Sequence, residues 1–115
     1  MQRGDVYLVE LDPARGAEVN KVRPAVIVSN NAANRTAERN NRGVVTVVPV
    51  TSNTTRVYPF QILLAAGEGG LTVESKAQAE QVRSVDYVRL RRRVGALAPP
   101  VMRRLDEALR IHLGL

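Results

Sequence analysis

Two short β-branched runs constrain this chain more than anything else in it. Residues 24–29 read Pro-Ala-Val-Ile-Val-Ser, and residues 44–50 read Val-Val-Thr-Val-Val-Pro-Val. Each is too short for an ordinary helix and too continuously apolar for a strand with one wet face. Each therefore predicts a strand buried on both faces.

The remaining chain is arranged around these two. Residues 6–11 form a β-type run with imperfect alternation, ended by the turn-favouring Asp12-Pro13. The polar stretch 15–22 predicts a loop. Residues 30–43, rich in Asn, Arg and Ala, predict an excursion between strands with one short helical turn. Residues 51–56 are a polar turn, and 58–64 a fourth strand. Gly67, Gly69 and Gly70 punctuate the next turn. Residues 71–79 predict a further short strand or strand pair. Residues 82–88 read as extended and border the basic stretch 89–93.

A helix is legible only at the C-terminus. Pro99-Pro100 fits a helix start, where a missing N–H costs nothing. Val101, Met102, Leu105, Ala108, Leu109 and Leu113 recur at helical spacing, and Asp106 and Arg110 stand four apart. The expectation is a mainly β chain, one domain over residues 1–115. It has five to seven short strands and a C-terminal α-helix, compatible with a compact barrel.

Composition narrows the chemistry. No cysteine is present, which excludes disulfides and thiolate metal sites. No apolar stretch is long enough to span a membrane, so the expected compartment is the cytoplasm. The net charge is +6. Residues 1–82 nearly balance, with nine basic against eight acidic side chains, whereas residues 83–115 carry eight basic against three acidic. All but Lys21 and Lys76 of the basic residues are Arg, whose planar fork matches phosphate oxygens. The balance favours a polyanionic partner, although an Arg-rich solvated face gives the same numbers.

Several catalytic classes are missing. The one histidine, His112, falls beside the apolar stripe of the C-terminal helix and reads as a packing or edge residue. A two-histidine nuclease is therefore impossible within one chain. Glu74 and Glu80 have no further Asp at metal-ligand spacing, so no metal and no cofactor is expected. Arg23 precedes Pro24 and is pushed to extended geometry at the mouth of a buried strand. Thr51 closes the other buried strand in the same way. If the two strands are neighbours, a guanidinium and a hydroxyl converge at one edge of the sheet. From the spacing alone, a solvated Arg and a turn-capping Thr are the simpler account, since polar residues at strand ends are common.

The ordered segments carry a resemblance. Residues 3–7 read Arg-Gly-Asp-Val-Tyr, and 21–29 read Lys-Val-Arg-Pro-Ala-Val-Ile-Val-Ser. Then come 48–52, Val-Pro-Val-Thr-Ser, and 58–60, Tyr-Pro-Phe. Residues 76–84, Lys-Ala-Gln-Ala-Glu-Gln-Val-Arg-Ser, precede the closing helix. In this order and spacing the chain resembles the MazF/PemK (Kid) toxins over nearly its whole length, closest to their actinobacterial branch.

The resemblance implies an SH3-like barrel of the MazF/CcdB type. It also implies a homodimer, a MazE-like antitoxin as partner, and metal-independent cleavage of single-stranded RNA. The cut leaves a 2′,3′-cyclic phosphate and a 5′-hydroxyl. The family's catalytic Arg falls on Arg23, its catalytic Thr on Thr51 and its loop acid on Glu18. The acidic–Gln pair that reads RNA falls on Glu80 and Gln81. An Arg of the PemK/Kid branch is replaced here by Gln78. Lys76, Arg83 and Arg56 are candidate phosphate contacts. Tyr7, Tyr58, Phe60 and Tyr87 are the only rings on which a base could stack. The rival readings are a CcdB-like poison of a protein target and a non-catalytic RNA-binding barrel.

Overall fold

The computed structural model describes residues 1–11 and 22–115. The loop expected over 15–22 and the Asp12-Pro13 stop therefore lie outside the described residues, apart from Val22. Among the described residues, seven strands and two α-helices follow one another. They are β1 (Asp5–Glu10), β2 (Val22–Ile27), α1 (Asn31–Asn40), β3 (Val44–Thr51), β4 (Gln61–Leu64), β5 (Ser75–Gln78), β6 (Arg83–Asp86), β7 (Leu90–Ala96) and α2 (Pro99–Leu113). This is the mainly β architecture with a C-terminal helix that the sequence predicts.

The hub is β3, the longest strand. Its one edge pairs with β2, bringing Ala25 opposite Pro49 and Ile27 opposite Val47. Its other edge is shared. The first half takes β6, with Val45 opposite Val85, and the last two residues take β5, with Thr51 opposite Lys76. The path through the sheet runs β4-β5-β3-β2-β1-β7, and every pairing is antiparallel.

Because side chains alternate along a strand, the β-branched runs feed two cores. Val6, Val26, Val48 and Val50 point to one face, which Leu105, Ala108 and Leu109 of α2 cover. Val9, Ala25, Ile27, Val45 and Val47 point to the other, which Ala37 of α1 helps close. The two runs read as strands buried on both faces are so buried.

Five sequence expectations change. Residues 30–43 hold a ten-residue helix, not one short turn. Only Asn34 and Ala37 of α1 are buried, so no apolar stripe exists to betray it. The helix is made by its ends and one buried amide. The Asn30 side chain accepts from Ala33 N at 2.8 Å, Asn41 closes the helix in the left-handed region at φ 51°, and Asn34 Nδ2 donates to the Ser29 carbonyl at 2.9 Å. Loss of that N-terminal cap in Asn30→Ala is expected to cost about 1 kcal/mol, read by urea denaturation.

The fourth strand covers only the second half of 58–64. Pro59 has no N–H to give to a ladder, and Tyr58 N donates instead to the Gln61 side chain at 3.1 Å. The basic stretch 89–93 enters a strand, β7, which lies at the end of the path and pairs with β1. There Arg91 pairs with Glu10 and Arg93 with Asp5. Charged side chains on an edge strand discourage further pairing.

Finally, Asp106 does not meet Arg110. It takes Arg3 Nη2 at 2.8 Å, while Arg110 turns to Glu107 at 2.5 Å. Within the predicted apolar stripe of α2, Leu113 is exposed, as is His112. None of the helices formed by described residues is long and apolar enough to cross a membrane.

Candidate active site

The β2–β3 pairing sets the site. Its last paired residues are Ala25 and Pro49, and Arg23 and Thr51 stand two residues beyond them at the same end of the two strands. Both side chains line one open cleft of about 240 Å³. Pro24, Val50, Ser52, Leu71, Thr72, Val73 and Ser75 complete its wall. The guanidinium and the hydroxyl that the sequence placed at two separate strand ends are therefore neighbours.

Arg23 is exposed, and among the described residues no ion pair or side-chain hydrogen bond holds it. No carboxylate is among the described residues that line the cleft. A guanidinium that is not neutralised in place keeps its full attraction for an anion. Thr51 is half-buried, and its Oγ1 accepts from Asn53 N at 3.2 Å. The turn-capping reading of Thr51 is thus correct as far as it goes. The amide uses one lone pair of the oxygen, and the hydroxyl proton remains available as a donor.

The next strand extends this row. Lys76 stands opposite Thr51 on β5 but is only 8% exposed, and its Nζ donates to the Arg56 carbonyl at 2.6 Å. Its ammonium ties down the 52–60 loop instead of standing free in solvent. Arg56 is exposed, and its Nη1 donates to the Tyr58 hydroxyl at 3.2 Å.

Glu80 lies in a short 3-10 turn after β5. Its Oε2 accepts from Gln61 Nε2 at 2.6 Å, and its Oε1 is buried with no partner among the described residues. Gln81, in the same turn, is exposed. Gln78 is half-buried opposite Gln61, and Arg83 is exposed on β6 opposite Val47. Of the named site residues, the structure brings Arg23 and Thr51 into one cleft. Lys76 and Arg56 are held beside it, while Gln78, Glu80, Gln81 and Arg83 lie off its lining. Glu18 lies outside the described residues.

Sequence reasoning missed the opposite wall and the brace. Leu71, Thr72 and Val73 reach the cleft by way of the glycine turn at 67–70, about twenty residues beyond Thr51 in the chain, and nothing in their spacing signals it. Gln61, buried between the Tyr58 amide and the Glu80 carboxylate, was visible only as a polar residue inside an apolar strand. Glu74 accepts from the Thr54 hydroxyl at 3.2 Å. No group of three or more His, Cys, Asp or Glu that could hold a metal ion occurs among the described residues.

Comparison with known proteins points the same way. Residues 2–113 match the family model for PemK-like, MazF-like toxins of type II toxin–antitoxin systems. A curated relative, endoribonuclease MazF9 of Mycobacterium tuberculosis, is 57% identical over 115 residues, covering 100% of this chain and 98% of the relative. A solved MazE–MazF structure from Deinococcus radiodurans superposes with a TM-score of 0.79 at 26% identity. It covers 100% of this chain and 96% of the other. A mycobacterial endoribonuclease in complex with its cognate antitoxin gives 0.77 at 29% identity, with 100% and 96% covered.

Proposed function

This chain belongs to the PemK-like, MazF-like toxins of type II toxin–antitoxin systems, and from that premise we propose that it is a metal-independent endoribonuclease cutting single-stranded RNA at the Arg23–Thr51 cleft. The observation that carries the reading is the shared cleft. It is lined by a guanidinium with no partner among the described residues and by a hydroxyl 28 residues further along the chain.

The substrate brings its own nucleophile. The ribose 2′-oxygen bonds to phosphorus, the bond from phosphorus to the 5′-oxygen breaks, and the products are a 2′,3′-cyclic phosphate and a 5′-hydroxyl. One proton leaves the 2′-hydroxyl and one reaches the departing 5′-oxygen. Arg23, always protonated, cannot accept the first. It acts as the clamp on charge building at the non-bridging oxygens, where electrostatic stabilisation is often the largest catalytic contribution. Thr51 donates to a phosphate oxygen and holds the in-line geometry. Glu18, the acidic residue carried over, is the candidate base for the 2′-hydroxyl proton, and water can supply the proton that the departing 5′-oxygen takes up.

Gln78, Glu80, Gln81 and Arg83 form the part of the surface assigned to RNA reading. Unstacked bases expose edges that an amide can read with both a donor and an acceptor. The partner is an acidic MazE-like antitoxin, which suits a chain of net charge +6. The assembly is a homodimer. The exposed apolar end of α2, with Ile111, Leu113 and Leu115, supports self-association.

The deciding experiment incubates purified protein with a long transcript in excess chelator. Cleavage with 5′-hydroxyl ends is expected. Intact RNA would favour a CcdB-like poison of a protein target, and RNA bound but uncut a non-catalytic barrel. Within an active protein, Thr51→Val keeps shape but removes the donor, and is expected to slow single-turnover cleavage by about tenfold to a hundredfold. Thr51→Ser is expected to restore most of it.

A further inference from the structure

We propose that Tyr58 and Phe60 form a stacking floor for an RNA base, beside the cleft and one or two nucleotides away from the scissile phosphate. The inference rests on the RNA-cleaving reading above.

The chain has four aromatic side chains. Tyr7 and Tyr87 pack against the second core cluster. Tyr58 and Phe60 pack against neither cluster. They lie instead on each other, with ring centroids 5.3 Å apart and planes 5° from parallel. Half of a scarce aromatic complement is thus held outside the core, on the loop that leaves Thr51. Tyr58 is 41% exposed. Phe60 stacks on one ring face, and Arg56 stands over the ring, its guanidinium carbon 5.8 Å from the centroid and its Nη1 donating to the hydroxyl. Arg56 is itself exposed, so a base that stacks on Tyr58 meets a cation able to pair with its attached phosphate.

The floor is rigidly mounted. Lys76 and Gln61, only 8% and 6% exposed, hold the backbone of this loop. Lys76 Nζ takes the Arg56 carbonyl at 2.6 Å, and Gln61 Oε1 takes the Tyr58 amide at 3.1 Å. Gln61 is in turn fixed by Glu80 at 2.6 Å. Burying an ammonium and an amide is costly unless each makes such bonds. A passive surface turn has no need of them, whereas a binding surface gains by being ordered before its ligand arrives. Lys76 also fixes the distance to the cleft. It stands directly opposite Thr51, so the Arg56 backbone lies within one lysine side chain of the Thr51 row. Every base has a π face, so the floor adds affinity with little sequence preference. On this reading Glu80 acts on RNA by positioning Tyr58 through Gln61.

The test maps cleavage sites on a long transcript, then uses a short RNA spanning one site. That RNA carries a 2′-deoxy sugar at the cut and 2-aminopurine at each flanking position in turn. Wild-type protein is expected to quench the fluorescence strongly at one flanking position. Tyr58→Leu is expected to abolish that quench and weaken binding roughly fivefold to a hundredfold. Its thermal melt should match the wild type, since the ring leaves no core cavity. Tyr58→Phe keeps the π face and retains the quench. Absence of quenching at every position, wild-type affinity in Tyr58→Leu, or equal losses in both variants would overturn the floor while leaving the nuclease reading intact. A protein that neither cuts nor binds RNA overturns both.

Discussion

Arg23→Ala is expected to slow single-turnover RNA cleavage by at least about a hundredfold, and on the order of a thousandfold if the guanidinium is the main charge clamp. The side chain is exposed and free of partners among the described residues, so its loss should leave the melting temperature nearly unchanged. That separation of activity from stability is the diagnostic feature. Arg23→Lys restores the charge without the planar fork. A recovery of only a small fraction of the rate would show that two-point contact with the phosphate matters as well as attraction. Both variants should still bind a non-cleavable RNA, because the other contacts remain. Near-full cleavage by Arg23→Ala would remove the basis for placing the reaction at this cleft.

A second large effect is expected where two backbones cross. Gly69 and Gly70 cross Gly95 of β7 with their backbones in contact. A Cβ on Gly70 would fall onto the Val94 carbonyl, and one on Gly95 would meet the Gly69 carbonyl oxygen at 2.5 Å. Gly70 also sits at φ +79°, a left-handed conformation that costs an L residue about 1 kcal/mol or more. Overpacking against backbone adds roughly 1–3 kcal/mol. Gly70→Ala should therefore lose about 3 kcal/mol and on the order of 10 °C in melting temperature.

Gly67→Ala is the control. Its φ is +94° but nothing lies within 4 Å, so only the backbone cost of about 1 kcal/mol applies. Equal losses in the two variants would show that the close approach is relaxed in solution. The consequence reaches the site, because Leu71, next in the chain, is at once a core residue and a wall of the cleft. Any shift of the crossing moves that wall, so Gly70→Ala should lose cleavage as well as stability.

The strands legible in the sequence were those whose own side chains pay the cost of ordering. Residues 24–29 and 44–50 announce themselves because both faces are apolar, and the structure puts a core on each. The elements that were missed or mis-sized draw their stability from elsewhere. α1 is held by an Asn cap and a buried Asn34, neither of which leaves a periodic apolar trace. β7 reads as three consecutive arginines because it needs only one partner and meets solvent along its length. The aromatic pair at 58 and 60 resembled a strand and proved to be a surface stack, because Pro59 cannot donate to a ladder and a buried glutamine takes the Tyr58 amide.

By itself the sequence determined the class of fold and the family, since local pattern and residue type depend only on near neighbours along the chain. Tertiary structure alone decided that Arg23 and Thr51 line one cleft, that Leu71 to Val73 complete its wall, and that Lys76 braces a loop. Those facts depend on strand register, and register is set by which faces of distant segments bury together, a quantity no local window contains.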